Sequence, residues 1–225
     1  MQLSNYTMQV MKNFATINSN LVVKQGNNIM TMSEARNILG STAVEEEFPK
    51  QFGIYDMQEV LGVLGLVDAP RITFEDGYAL IADSTGRAQI KYFFSDTEML
   101  TSPSKEISMP EAEVKFSLDQ GTLNNLKRAA AALGHSELSI TGGSGVVTLS
   151  VIDSENSTSD TYSIDVPGDY ESEDFNFILN ISNLKIIPAN YQVEISSKLI
   201  SRFTSTNLDR PLTYWLALEK SSTYN

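Results

Sequence analysis

The chain has 225 residues, 41% of them hydrophobic, no cysteine, and a formal net charge of −12 at pH 7. That length fits one large domain or two of about 110 residues; the lack of cysteine excludes disulfides and thiolate metal sites and suits a reducing cytoplasm; no run approaches the roughly 18 consecutive apolar residues of a membrane helix. The charge excludes a protein that coats DNA through a broadly basic surface, and because residues 1–110 hold 8 basic and 13 acidic groups and residues 111–225 hold 8 and 15, any nucleic-acid contact must come from a local arrangement.

Along the chain, Ser4–Ile17 reads as a helix with a polar stripe of Asn5, Gln9, Lys12 and Thr16. Asn20–Lys24 and Ile29–Met32 read as strands joined by a Gln25-Gly-Asn-Asn turn, and a further strand is expected over Ile38–Val44. The acidic run Glu45-Glu46-Glu47 before Pro49 reads as a solvated loop. Strand Gln51–Tyr55 leads into Asp56, a cap for a helix over Met57–Leu66 whose Met57, Val60, Leu61 and Leu64 recur at helical spacing. Strands Arg71–Phe74, Tyr78–Ala82 and Ala88–Phe94 follow. The stretch Asp96–Pro110, with two prolines and weak periodicity, is the linker candidate and sets domains of 1–108 and 109–225.

The second half repeats the order. Asp119 or Ser117 caps a helix whose core side is Thr122, Leu126, Ala129 and Leu133. A shift of 115 residues carries the first polar stripe onto Gln120, Asn124, Lys127 and Ala131. Gly142-Gly143-Ser144-Gly145 lies between strands Leu138–Thr141 and Val146–Val151 and has no following Gly-Lys-Ser/Thr, so it reads as a hairpin turn and not as a phosphate loop. A strand over Thr161–Val166, a strand Phe175–Leu179, a helix Asn180–Ile187, and strands Tyr191–Ser197 and Thr213–Glu219 complete the copy. Mostly strand with about four helices, the fold class is α+β: two similar domains of sheets backed by paired helices.

No catalytic constellation stands out. His135, the sole histidine, follows Gly134 at a helix end, where a capping or surface place is ordinary. Asp169, Glu171, Glu173 and Asp174 lack the spacing and glycine of an EF-hand loop. The chain reads as a non-enzyme with no metal and no cofactor.

Several blocks are specific. Met11-Lys12-Asn13-Phe14-Ala15-Thr16-Ile17-Asn18-Ser19 resembles the first helix of the sliding clamp of T-even bacteriophages. Ile54-Tyr55-Asp56 with Leu61-Gly62-Val63-Leu64-Gly65-Leu66-Val67 is similar to that family's second helix. Gly168-Asp169-Tyr170, Phe175-Asn176-Phe177-Ile178, Asn180, Lys185, Pro188, Asn190-Tyr191, Tyr214 and Ala217-Leu218-Glu219 also resemble it, in the same order. The resemblance implies the DNA clamp fold assembled into a ring: a homotrimer of two-domain subunits that encircles duplex DNA without reading its sequence. It also implies an ATP-driven clamp loader, a replicative DNA polymerase held by its C-terminal peptide, a part in late transcription, and a place in the cytoplasm of an infected bacterial host, away from any membrane.

Within that frame, Lys12, Lys127, Arg128 and Lys185 lie on predicted helices and are the expected DNA-facing cations, with Lys12 and Lys127 at corresponding places in the repeat. The predicted helix Met57–Leu66 has no basic residue. The resemblance places a partner pocket on the second domain, near which Met109, Pro110, Trp215 and Leu216 are the candidate anchors. The alternative is a β-rich phage structural (virion) protein, which shares the acidic charge and symmetric assembly but needs no cations at matched helix positions. A hydrolase with a hidden carboxylate pair ranks behind both.

Overall fold

The computed structural model describes residues 1–103, 107–156 and 158–225. The chain divides into two compact units, Met1–Lys105 and Glu106–Asn225.

The first unit opens with α1 (Asn5–Ile17), followed by β1 (Leu21–Val23), β2 (Gly26–Met32), β3 (Ile38–Phe48), β4 (Phe52–Ile54), α2 (Met57–Gly65), β5 (Arg71–Phe74), β6 (Tyr78–Ala82) and β7 (Gln89–Phe93), with a 3₁₀ turn at Thr97–Met99. All its pairings are antiparallel: β1 with β4, β2 with β3, and β5, β6 and β7 in that order. Val10, Phe14 and Met57 are fully buried where the helices meet the sheets, because the apolar residues of both helices recur every three to four positions. Phe48, Phe52, Phe74 and Phe94 cluster with ring centroids 4.9–6.4 Å apart, closing that core.

The second unit runs β8 (Val114–Leu118), α3 (Gln120–Leu133), β9 (Glu137–Gly143), β10 (Val146–Ile152), β11 (Tyr162–Tyr170), β12 (Phe175–Asn180), a 3₁₀ turn Ile181–Asn183, β13 (Tyr191–Ser196), β14 (Ile200–Ser205), β15 (Leu212–Ala217) and β16 (Thr223–Tyr224). Its strands follow the order β16-β12-β9-β10-β11-β8-β13-β14-β15, all antiparallel. Strand β11 changes partner midway: it pairs with β10 up to Pro167 and with β8 from Gly168. Glycine is needed at the crossing, since a Cβ on Gly168 would sit 2.6 Å from Val147 Cγ2 and 2.9 Å from the Lys115 carbonyl oxygen. The glycine cluster is a hairpin turn, with Ser144 at φ 54° and Gly145 at φ 79°, both in the left-handed region that a two-residue type I′ turn uses.

Three expectations need correction. The run Glu45-Glu46-Glu47 is not a loop: β3 continues to Phe48, and burial alternates from Val44 through Glu46 to Phe48, as a strand's two faces require. Asn180–Ile187 is not a helix. Asn180 caps as expected, its Oδ1 accepting from Ser182 N–H at 3.0 Å, but only Ile181–Asn183 coils. The residue before Pro188 is forced away from helical angles, and Ile186-Ile187 is β-branched. The count of α-helices among the described residues is therefore three, with the pair α1 and α2 in the first unit and α3 in the second. Strands β8, β14 and β16, absent from the sequence-based expectation, complete the second sheet.

Candidate nucleic-acid interface

Helix α1 is capped by Ser4, whose Oγ accepts from Thr7 N–H at 3.1 Å. It buries Tyr6, Thr7, Val10, Met11, Phe14 and Ile17. The expected stripe of Asn5, Gln9, Lys12 and Thr16 is exposed along its whole length. Lys12 is the helix's single charge. A polar clamp fixes the helix start: Ser4 N–H and Thr7 Oγ1–H both donate to the Glu46 carboxylate of β3, and Tyr6 Oη shares a 2.7 Å hydrogen bond with Thr42 Oγ1 on the same strand. Glu46 is only 8% exposed. Burial alone would raise its pKa, but the hydrogen bonds from Thr7 and Ser4 outweigh it and hold the carboxyl below its usual range.

That clamp has a measurable consequence. A depressed folded-state pKa contributes stability that is present above the unfolded carboxylate value, about 4.3, and is lost as pH falls through the folded value. Glu46→Ala strands two donors and is expected to cost about 1–3 kcal/mol, read as a lower melting temperature at pH 7, with a shallower loss of stability below pH 4 than the parent shows. An unchanged melting temperature would mean that Glu46 does not hold α1.

Helix α3 is capped by Asp119, which accepts from Thr122 N–H at 2.9 Å and Thr122 Oγ1 at 2.6 Å; these bonds, the side-chain one first, lower its pKa. Gly134 ends the helix in the left-handed conformation, φ 73°. At the helix start, Gln120 N–H donates to Asn190 Oδ1 at 2.9 Å, so a distant polar group anchors α3 as Glu46 anchors α1.

Of the stripe expected on α3, Gln120, Asn124 and Ala131 are exposed and Lys127 is half-buried, so the outward face is centred one residue further along. Thr122, Leu123, Leu126 and Ala130 are buried, matching Tyr6, Thr7, Val10 and Phe14 of α1 at a shift of 116. The exposed residues Asn5, Gln9, Lys12 and Thr16 then correspond to Gly121, Asn125, Arg128 and Ala132, all exposed. The caps Ser4 and Asp119 stand 115 apart, one residue out of step with the shift of 116 that aligns the buried faces. Arg128 is thus the counterpart of Lys12. Lys127, expected from the sequence to match Lys12, is half-buried at the flank of α3, and burial lowers its pKa.

Lys185 is exposed but sits in irregular chain beyond the 3₁₀ turn, not on a helix. Helix α2 exposes Gln58, Glu59, Gly62 and Gly65, with Asp56 as its cap accepting from Gln58 N–H at 2.8 Å, and so offers no cation to a phosphate. Helices α1 and α3 contain three basic residues and no carboxylate, +3 in charge, which leaves −15 on the remainder (−12 less +3).

Of the expected partner anchors, Pro110 is exposed and Met109 and Trp215 are half-buried. Leu216 is fully buried and cannot meet a partner directly: Leu212, Tyr214 and Leu216 face the core, while Thr213 and Trp215 alternate to the other face of β15. Trp215 stands opposite Arg202, whose guanidinium pairs with Glu194, and the buried indole Nε1–H has no hydrogen-bond partner among the described residues.

Residues 111–220 match the family model described as gp45 sliding clamp, C terminal, and residues 4–79 match the model described as DNA polymerase processivity factor. The chain is 32% identical over 237 residues to the sliding clamp of Enterobacteria phage T4 and 30% identical over 234 residues to that of Escherichia phage RB69, in both cases across 100% of each chain. The sliding clamp of a Vibrio phage, KVP40, is 29% identical over 224 residues, covering 97% of this chain and 99% of its own. In fold, the chain is similar to the crystal structure of Proliferating Cellular Nuclear Antigen from Entamoeba histolytica, with a TM-score of 0.71 over 95% of each chain at 15% identity.

Proposed function

Since the chain belongs to the bacteriophage sliding clamps, the DNA polymerase processivity factors of phage replication, we propose that three copies close into a ring around duplex DNA with the outward faces of α1 and α3 turned to the phosphates. A sliding clamp is a processivity factor and not an enzyme, and its partner is a DNA polymerase. The matches give no support to the virion-protein alternative. The observation that carries the ring reading is the matched pair of faces: Lys12 on α1 and Arg128 on α3, each exposed among neutral side chains, in a chain that is otherwise strongly acidic.

A closed ring stays on DNA because the duplex threads it, so its phosphate contacts need only keep the duplex centred. Each phosphate neutralised steepens the salt dependence of affinity by about 0.9 in a log–log plot, and many such contacts would hold the ring in place. A few solvated cations, bridged to phosphates through water, leave it free to slide. The net negative charge of the remainder disfavours DNA binding elsewhere on the surface.

Closure needs complementary sheet edges. Among the described residues, β7 pairs only with β6, and β11 pairs only with β10 over Tyr162–Pro167. Phe93 on β7 is 65% exposed beside Tyr78, with Lys91 Nζ 4.1 Å from the Tyr78 ring centroid. An open strand edge with an exposed aromatic is a pairing surface, and β7 of one copy meeting β11 of the next closes a ring head to tail. An ATP-driven loader would open it, and the polymerase would be held by its C-terminal peptide, in the cytoplasm of an infected bacterium; late transcription is a second use. Light scattering tests the assembly. A species near 74.4 kDa, three times 24.8 kDa, is expected, and a monomer at every concentration or an open polymer would contradict it.

A further inference from the structure

In the second unit, the segment after β15 turns back onto the outer edge of β12. Glu219 N–H donates to Ile178 O at 2.8 Å, Ile178 N–H donates to Ser222 Oγ at 2.9 Å, and Asn225 N–H donates to Asp174 O at 3.0 Å. Thr223 and Tyr224 pair with Asn176 and Phe175 as the two residues of β16. Tyr224 stacks on Phe177 (centroids 6.1 Å, 16° between planes) and so prolongs the aromatic row Tyr170–Phe175–Phe177, whose successive centroids lie 5.6 and 5.5 Å apart.

The fit of this segment is incomplete in two ways. It is short, with Thr223 and Asn225 exposed and Tyr224 half-exposed, so its opening lies at the low end of local stabilities. It is also the wrong charge. Asp174 Oδ2 accepts from Asn225 Nδ2–H at 3.2 Å, and Glu173 Oε1 accepts from Tyr170 Oη at 3.4 Å at the head of the aromatic row; burial first, then Glu171, Glu113 and Glu111, raises the Tyr224 phenol pKa. Residues 221–225, Ser-Ser-Thr-Tyr-Asn, bring no cation to this rim.

We propose that the β12 edge is a docking groove for an extended partner peptide carrying one aromatic residue flanked by lysine or arginine, and that residues 221–225 occupy it as a displaceable stand-in. An added strand takes its affinity from main-chain hydrogen bonds and its specificity from alternate side chains. Here the alternate positions are the aromatic row, which receives a Phe or Tyr in place of Tyr224, and the acidic rim, which receives the cations. Displacement by a better-matched strand exposes no new apolar surface, because the incoming ring covers Phe177 as Tyr224 did.

The proposal rests on the reading of the chain as a tether for partner proteins, but its test needs neither DNA nor a closed ring, so the two fail separately. A fluorescein-labelled peptide Lys-Arg-Thr-Phe-Lys-Arg is titrated against the full chain, the chain ending at Lys220, and Tyr224→Ala. Binding at least about tenfold tighter to the shortened chain and to Tyr224→Ala than to the full chain, with new amide-exchange protection over Phe175–Ile178, is expected. The same peptide with Glu for its four cations should not bind. Equal affinity for full and shortened chains would reduce the binding to general charge attraction and overturn the proposal, as would protection elsewhere. If the shortened chain does not fold, Tyr224→Ala decides by the same criteria. If it self-associates and ignores the peptide, the edge serves copies of this chain and the peptide reading falls.

Discussion

Reversing Lys12 and Arg128 together, K12E with R128E, is expected to cut clamp-dependent processive synthesis by about tenfold or more while leaving the fold intact. Both side chains are exposed, so the substitutions disturb no buried packing, and exposed changes of this kind usually alter stability by less than about 0.5 kcal/mol. In the proposed trimer the double variant would turn six cations on the proposed DNA face into six anions. Every phosphate left without its cation takes about one unit off the salt slope of DNA association, and the new repulsion opposes threading during loading. Loss of processivity on the order of tenfold or more follows. The neutral pair K12Q with R128Q should fall between the two. Lys127→Glu separates this account from the repeat as read at a shift of 115: a half-buried flank position should lower the melting temperature more than it lowers processivity. If Lys127→Glu proved as damaging to processivity as Arg128→Glu at unchanged stability, the assignment of the outward face would be wrong.

The second large effect is expected at the ring's closure. Phe93→Asp should shift the protein from trimer to monomer at concentrations where the parent is a trimer, with the monomer's melting temperature nearly unchanged. Burying one phenylalanine contributes about 1.5–3 kcal/mol, and the replacement adds the desolvation of a carboxylate. Each junction between copies should therefore weaken by at least about tenfold, and a closed trimer has three such junctions, all carrying the substitution. Leu66→Asp is the matched control: Leu66 is 78% exposed at the end of α2 and lies on no strand edge. A mass unaffected by Phe93→Asp would exclude β7 from the subunit junction, whereas dissociation by Leu66→Asp would move the junction elsewhere.

What the sequence disclosed and what it hid follow from the range of the forces involved. Helix α1 was legible because its cap, its apolar spacing and its polar stripe all lie within fourteen residues, and every stripe residue is exposed. The hairpin at Gly142–Gly145 was legible for the same reason, since turn chemistry is local. Helix α3 was placed correctly but turned by one residue. Its Ala129-Ala-Ala-Ala132 run gives no contrast between faces, so only the packing of Leu123, Leu126 and Ala130 decides which side is buried. The burial of Glu46 is hidden in the sequence because its partners, Ser4 and Thr7, are some forty residues away, and a triple glutamate seen alone looks solvated. From sequence alone Leu216 reads as a surface anchor, because a single strand shows which residues alternate but not which side faces the core. The segment Asn180–Ile187 carried a valid cap and apolar residues, yet a following proline and β-branched neighbours stopped the coil after one turn.

Retention by linkage in place of affinity is tested most directly on DNA of defined topology. The protein is loaded onto a nicked circular plasmid by the proposed ATP-driven loader, the sample is washed with high salt, and half is cut once to give linear DNA. Retention on the circle and rapid release from the linear form are predicted, since phosphate attraction through Lys12 and Arg128 is screened by salt while threading is not. Equal release from circular and linear DNA, in step with rising salt, would contradict encirclement and leave the protein an ordinary electrostatic DNA binder.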